Sequence, residues 1–255
     1  MINNFYNIVN SILKLKVWKM QKRSGYDRSI AMFSPDGRLL QVEYAKKTVK
    51  QGSTSLGIRC EDGIVLAVDK RFVNKLVDPS SIEKISKIDN HVACAMSGIV
   101  SDGRVLVDRL RYMAQEHKFV YDTPSDILML VKDISDLKQT YTQSGGVRPF
   151  GVSLVIGGID VDGPKLFVTD PTGIYFQYFA KAIGEKEKEI DAILQSDYKK
   201  DISVDEGIKL ALKAMKEALG DDYDEKRVSI KTITEGHDDL KSLTNEEIKK
   251  YSKKV

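Results

Sequence analysis

The amino-acid sequence predicts an α+β fold, a four-layer αββα sandwich in which two antiparallel sheets lie between two layers of helices. Strands and helices occur in separate blocks, in the order helix, strands, two helices, strands, two helices, strand. Such segregation favours a layered α+β fold over a parallel sheet with alternating helices. Short apolar runs between turn residues indicate strands covered on one or both faces. Two sheets packed between paired helices would bury both blocks.

The first helix follows a turn. Ser34-Pro35-Asp36-Gly37 is a turn sequence, because Pro fixes φ and Asp and Gly favour tight turns. A helical pattern then covers residues 38–50, and Gly52 is expected to end it. Two hairpins follow, with strands at 54–60 and 64–69 and then at 84–88 and 91–96.

Two long helices separate these strands from the next block. The first covers 102–118, and the second runs to about residue 141, with Thr123 as its N-cap and Pro124 at its first position. The remaining predicted elements are strands at 150–159, 165–169 and 174–180, helices at 185–198 and 204–219, a strand at 228–234 and a helix from about residue 245.

Composition argues against several classes of function. Lys and Arg number 40 and Asp and Glu 37, so a net charge of +3 gives no electrostatic case for nucleic acid. The three histidines stand apart, which predicts no metal site. Two cysteines without a CxxC pair or a signal peptide fit buried thiols in a reduced cytoplasmic protein. No apolar run reaches the about 18 residues of a membrane span.

The first nineteen residues form a separate segment. Ile8, Ile12 and Leu15 belong to one face of a possible amphipathic helix, which would suit a surface or membrane anchor. Lys14 and Lys16 interrupt that face, which favours a tail outside the core or a translation start at Met20. We expect a tail over residues 1–24 and a single domain over 25–255.

The start of the first strand carries candidate chemistry. Ser53 and Thr54 lie there, Asp69 ends the returning strand, and Lys84 begins the next hairpin. These groups could converge at one sheet end, where a lysine would ease deprotonation of a hydroxyl nucleophile. Ordinary polar residues gathered at a sheet edge would give the same pattern, so both interpretations stay open at this point.

Seven motifs in register resemble the α-type subunits of the proteasome core particle, closest to the archaeal type. The resemblance covers residues 25 to about 234, in order. The motifs are Tyr26-Asp27-Arg28, Phe33 to Leu39, Gln41 to Ala45, Gly52-Ser53-Thr54, Ser81 to Ile85, Gly145 to Gly151 and Asp170 to Gly173.

The resemblance implies the fold of the N-terminal-nucleophile hydrolases, with the helix at 38–50 as the feature that α-type subunits keep. In catalytic β-type relatives a threonine becomes the first residue, and its free amine is the base. Ser53 and Thr54 follow a helix here, so the resemblance implies no catalytic residue and no cofactor. Asp69 and Lys84 would then be relics of a shared ancestor.

The resemblance further implies a seven-membered ring that caps the β-type subunits of a threonine endopeptidase complex in the cytoplasm. The ring would gate the entry of unfolded proteins, through Tyr26, Asp27, Arg28, Pro35 and Tyr44. Lys84, with Gly52 and Ile99, would form a pocket for the C-terminal tail of an activator ATPase. Degradation would be ubiquitin-independent or tag-dependent. The rival hypotheses are an active N-terminal-nucleophile hydrolase and an unrelated α+β binding protein.

Overall fold

The computed structural model describes residues 32–71, 76–78, 81–236 and 239–253. The tail predicted over 1–24 and the Tyr26-Asp27-Arg28 motif lie outside the described residues. The elements are α1 (Leu40–Gln51), β1 (Ser55–Arg59), β2 (Gly63–Asp69), β3 (Ile85–Asp89), β4 (Val92–Gly98), α2 (Val100–Tyr121), α3 (Ile127–Gln143), β5 (Val152–Asp160), β6 (Gly163–Thr169), β7 (Tyr175–Gln177), β8 (Ala180–Ile183), α4 (Glu187–Asp197), α5 (Val204–Leu219), β9 (Val228–Thr234), β10 (Lys241–Ser242) and α6 (Asn245–Ser252).

Two five-stranded antiparallel sheets form the middle of the molecule, which confirms the predicted fold class. One sheet has the strand order β10-β9-β2-β1-β8, and the other has the order β3-β4-β5-β6-β7. Helices α4, α5 and α6 cover the first sheet, and α2 and α3 cover the second. The sheets pack against each other through a third apolar cluster. The layers are therefore helix, sheet, sheet, helix.

Alternation along the central strands explains why both sheet faces are apolar. In β2, Ile64, Leu66 and Val68 point to the opposite sheet, whereas Val65 and Ala67 point to the helices. All of these side chains are buried. Successive residues of a strand face opposite sides, so a strand between two layers needs apolar residues at every position. The continuous apolar runs in the sequence have this origin.

One predicted strand was wrong in a way that matters for topology. Residues 174–180 were expected to form a single strand, but the chain changes sheets there. β7 pairs with β6 in one sheet, and β8 pairs with β1 in the other. The crossover hydrogen-bonds to both sheets, because Tyr178 N donates to Leu166 O at 2.9 Å and Phe179 O accepts from Arg59 N at 2.7 Å. A continuous β-prone run conceals such a switch.

The helix start predicted at Thr123 was also wrong. Asp126 is the N-cap of α3, and its carboxylate accepts a hydrogen bond from Met129 N at 3.0 Å. A carboxylate that binds a first-turn N–H satisfies a donor that the helix itself leaves open, so the start moves to Asp126. By contrast, α5, β9 and the start of α6 have the predicted bounds.

The two cysteines are buried, as expected, and they lie in different layers. Cys60 lies between its sheet and α5, and Cys94 lies between the other sheet and its helices. Both are free thiols. Burial raises the pKa of each thiol to about 12, which keeps both protonated and unreactive at neutral pH.

Lys138 is a fully buried lysine at the inner face of α3. Its ammonium donates to the carbonyl oxygens of Val152 at 3.1 Å and of Thr169 and Asp170, each at 3.3 Å. Burial lowers the pKa of Lys138 to about 7, while the nearby charge of Asp170 acts in the opposite direction. The lysine thus ties α3 to the start of β5 and the end of β6 at a considerable desolvation cost.

Replacing Lys138 with Met should change how stability depends on pH. Between the folded pKa of about 7 and the ordinary value of 10.5, the unfolded chain holds one more proton on Lys138 than the folded chain. The stability of the unmodified protein therefore rises with pH in this window. The melting temperature of the unmodified protein minus that of Lys138→Met should therefore increase by on the order of 5 °C from pH 7 to pH 9.5.

The matched control is Lys132→Met, which removes an exposed lysine from the same helix. The melting temperature of Lys132→Met should differ from that of the unmodified protein by the same amount at every pH in this range. A constant difference between the protein and Lys138→Met would contradict the lowered pKa.

Candidate functional site

One end of the sandwich gathers strand termini from both sheets. The first residue of β1 pairs with the next-to-last residue of β2 and with the last residue of β8, and the end of β4 pairs with the start of β5. The residue before β3, Lys84, accepts at its carbonyl from Met96 N of β4. Helix α1 leads directly into β1 at this end. Ser53, Asp69 and Lys84 therefore all lie at this end of the sandwich.

The side chain of Lys84 lies at the centre of this end and is buried. Its ammonium donates to Ser53 Oγ at 2.8 Å and to Ser53 O at 2.9 Å. It also donates to Thr54 O at 3.2 Å and to Asp69 O at 3.1 Å. The structure thus brings Ser53 and Lys84 together, but Asp69 contributes only its backbone to this contact.

The environment of Lys84 disfavours its charge. Burial lowers the pKa of Lys84 to about 7, Asp69 opposes that shift, and Arg71 adds to it. Three carbonyl oxygens around the amine favour the ammonium, because a carbonyl only accepts hydrogen bonds. Near neutral pH this site therefore holds a cation whose charge is easily removed.

The guanidinium of Arg227 binds the carboxylate of Asp69. Its Nε donates to Asp69 Oδ1 at 2.9 Å, and its Nη2 donates to Oδ2 at 2.5 Å. The Asp69 side chain is 3% exposed, so this is a bidentate and nearly buried pair. Sequence reasoning missed Arg227, which lies far along the chain and just before β9. The only sequence signal was a charged residue next to an apolar strand.

The hydroxyls beside Ser53 are bound away from Lys84. Thr54 Oγ1 donates to Glu185 O at 2.6 Å, and Ser55 Oγ donates to Met96 O at 2.7 Å. Glu185 also forms an ion pair with Arg71. Of the three neighbouring hydroxyls, therefore, Ser53 is the one that contacts the lysine.

Gly52 and Ile99 adjoin this cluster, and Gly52 has a role that was not predicted. Its backbone is extended, with φ −70° and ψ 148°, so it ends α1 without the left-handed geometry expected of a helix-ending glycine. A Cβ there would lie 2.4 Å from Gly98 N and 2.6 Å from Ser97 Oγ. Gly52 thus allows α1 to approach the end of β4, next to Ile99.

Asp102 fixes the backbone around Ile99. Its carboxylate accepts from Arg148 Nη1 at 2.6 Å and Nη2 at 2.7 Å, and from Gly151 N at 2.9 Å. Gly151 O in turn accepts from Ile99 N at 2.9 Å. Arg148 belongs to the glycine-rich segment that the sequence singled out, but its partner could not be read from the sequence.

The proposed gate residues are only partly described. Pro35 and Tyr44 are exposed, Pro35 in the turn before α1 and Tyr44 on α1. The turn has the predicted form, since Ser34 O accepts from Gly37 N at 2.8 Å and Gly37 has φ +72°. Tyr26, Asp27 and Arg28 lie outside the described residues.

Two further observations bear on other kinds of site. Within the described ranges, no group of three or more His, Cys, Asp and Glu residues is arranged to hold a metal ion. Over the same part of the chain, no helix combines the length and apolar character that crossing a bilayer requires.

The four-layer sandwich, in which the Ser53 hydroxyl just before β1 contacts the buried Lys84 just before β3, fits the N-terminal-nucleophile hydrolase class of fold. A family model described as "Proteasome subunit" matches residues 49–233, and a second model, which describes the N-terminal signature of the A-type proteasome subunits, matches residues 26–47. The chain belongs to the proteasome α-subunit family, whose members assemble with other proteasome subunits in the core particle of a threonine protease complex.

Archaeal relatives named "Proteasome subunit alpha" are similar over most of their length. The chain is 49% identical to the protein of Methanocaldococcus jannaschii, over 93% of this chain and 90% of the relative. It is 51% identical to that of Methanopyrus kandleri, over 77% of this chain and 80% of the relative. The protein of Pyrococcus abyssi is 46% identical, over 90% of this chain and 87% of the relative.

Arg227→Met should destabilise the isolated chain by about 3 kcal/mol, because it leaves the buried Asp69 carboxylate without its partner. Chemical denaturation at pH 7 would measure the change. Asp69→Asn combined with Arg227→Met should cost less than Arg227→Met alone, since no buried charge is left unpaired. Lys226→Met, which removes the neighbouring lysine, is the control. A loss below roughly 0.5 kcal/mol for Arg227→Met would contradict the pairing.

Proposed function

We propose that this chain is a non-catalytic α subunit that forms the heptameric outer rings of the proteasome core particle. In this role residues 25–255 act as one domain, which gates the entry of unfolded proteins and docks the C-terminal tails of an activator ATPase. Its partners are further copies of itself, β-type subunits and that ATPase, and it works in the cytoplasm. Degradation would proceed without ubiquitin or with another tag, and the cutting would occur in the β-type chains.

Continuity of the backbone at Ser53 is the observation that carries this proposal. Gly52 N donates to Thr48 O at 3.1 Å and to Val49 O at 2.9 Å, so the residue before Ser53 is still bound to the last turn of α1. Ser53 therefore has a peptide bond where a catalytic relative would have a free amine. A hydroxyl of this fold without that amine lacks its usual base.

One contact favours the second candidate, an active hydrolase. Ser53 Oγ lies 2.8 Å from Lys84 Nζ, and a lysine with a pKa of about 7 is suited to act as a general base. The surrounding carbonyls weigh against this role, because three acceptors hold the nitrogen as a hydrogen-bond donor. A base would have to turn its lone pair toward the hydroxyl.

The gate proposal is supported by where α1 and its turn lie. Val42, Ala45 and Val49 bury one face of α1, while Tyr44 is 48% exposed. The turn at Pro35 is exposed as well. A firmly seated helix with exposed side chains suits contacts between neighbouring subunits, and Tyr26, Asp27 and Arg28 would complete them. An entry gate of this kind shifts with small free energies.

The docking proposal is supported by the charge and position of Lys84. A lysine ammonium is a compact partner for a terminal carboxylate. Gly52 precedes Ser53, which contacts Lys84, and Gly52 packs against Gly98, the residue before Ile99. An apolar side chain of a partner could therefore lie beside the carboxylate. We assign Lys84 to the carboxylate, and Gly52 and Ile99 to the wall of the pocket.

The purified chain alone should show no hydrolysis of fluorogenic peptides, and native mass spectrometry should find a seven-fold ring or a stack of such rings. After assembly with its β-type partner, Ser53→Ala and Thr54→Ala should leave peptide hydrolysis within about two-fold of the unmodified complex, since neither hydroxyl takes part. Hydrolysis by the chain alone that Ser53→Ala abolishes would establish the hydrolase instead.

Lys84→Met should weaken stimulation of the assembled complex by the ATPase that co-purifies with it. Loss of the cation removes the partner of the carboxylate, so the concentration for half-maximal stimulation should rise at least ten-fold. Basal peptide hydrolysis and ring size report on assembly. Lys47→Met, in which an exposed lysine of α1 is removed, is the control. Unchanged stimulation by Lys84→Met, with intact rings, would refute the assignment of Lys84.

A further inference from the structure

The four oxygens that surround the Lys84 ammonium differ in their freedom to move. Thr54 O and Asp69 O belong to adjoining ends of β1 and β2, where Asp69 N donates to Thr54 O at 2.9 Å. Ser53 O is held by Ser97 Oγ at 2.9 Å and is crowded by Gly184, where an added Cβ would lie 2.9 Å from it. The fourth, Ser53 Oγ, can leave by a rotation about χ1 alone.

The same hydroxyl lies on the accessible side of the lysine. Thr54 and Asp69 are buried, whereas Ser53 is half-buried. Among the described residues, the acceptors of the Lys84 ammonium include no carboxylate oxygen. The nearby charges already have partners, since Asp69 pairs with Arg227 and Arg71 pairs with Glu185. Within the described part of the chain, Lys84 is thus a buried cation without a matching anion.

We propose that the Ser53 hydroxyl is a placeholder on Lys84, which the terminal carboxylate of a docking peptide displaces. This inference rests on the proposed docking function and adds a regulatory step to it. The incoming carboxylate takes the position of Ser53 Oγ, while the three carbonyls keep the amine in place. A charged acceptor replaces a neutral one, which adds a Coulomb attraction between opposite charges to the hydrogen bond.

Competition of this kind has a measurable consequence. In the empty site the Ser53–Lys84 hydrogen bond stabilises the free protein, and docking must break it. The net contribution of a typical intramolecular hydrogen bond is modest, so removing the competitor should tighten binding about three- to ten-fold. The effect belongs to the carboxylate alone, because other parts of the peptide do not compete with Ser53.

The experiment uses the full chain assembled with its β-type partner. The probe is a fluorescein-labelled peptide that copies the C-terminal segment of the co-purifying ATPase, with a free carboxylate or with a C-terminal amide. Fluorescence anisotropy should show that Ser53→Ala binds the free acid about three- to ten-fold more tightly than the unmodified complex does. The amide should bind both complexes equally weakly. Ser53→Thr, which keeps a hydroxyl, should restore the weaker binding of the free acid.

Two controls separate the failure of this inference from the failure of the docking function. Ser55→Ala removes a neighbouring hydroxyl that donates to Met96 O and does not contact Lys84, and it should leave the preference for acid over amide unchanged. Lys84→Met should abolish that preference. If Lys84→Met abolishes it and Ser53→Ala does not tighten binding, docking stands and the placeholder role is refuted. If Lys84→Met leaves the preference intact, the docking function itself is refuted.

Discussion

Lys84 joins separate segments of the chain at the end of the sandwich where both sheets meet. Its amine bonds to the backbone just after α1 and to the last residue of β2, while its own carbonyl accepts from β4. Both sheets and the entering helix thus depend on one buried cation for their relative position there. Such a cation is expensive to desolvate, and the surrounding carbonyls offset only part of that cost. The lowered pKa of Lys84 reflects this balance.

Lys138 presents the same chemistry in a different setting. Each lysine is buried, each is surrounded by carbonyl oxygens, and burial lowers each pKa to about 7. The difference lies in access: within the described part of the chain the hydrogen-bond acceptors of Lys138 are backbone oxygens, whereas Lys84 also donates to the half-buried side chain of Ser53. A cation sealed by fixed oxygens can only stabilise the fold. A cation with one exchangeable partner can also bind a ligand, and that difference supports a docking role for Lys84 alone.

The sequence predicted the layers and most elements well, because period-two alternation and paired helical patterns are local signals. The sequence-based prediction failed at positions whose structure is determined by contacts between residues distant in the chain. The switch between sheets at Tyr178 and Phe179 depends on hydrogen bonds to two different sheets. Arg227 pairs with a residue 158 positions away, which no local pattern reveals. Gly52 was correctly predicted to end α1, but the sequence did not reveal that its backbone is extended there. Its close approach to Gly98 depends on a distant strand.

Helix α1 changes what the end of the sheets can do chemically. The helix leads into β1 through Gly52, whose tight contact with Gly98 leaves no room for a side chain. Moving α1 away from β1 would therefore expose Val42, Ala45 and Val49 and separate Gly52 from the end of β4. A free amine at Ser53 would need the peptide bond to be cut at this packed position. Without its usual base the site is poorly suited to proton transfer. What it retains is the buried positive charge of Lys84 and the pocket wall beside Gly52 and Ile99. Both suit recognition of a chain terminus better than hydrolysis of a peptide.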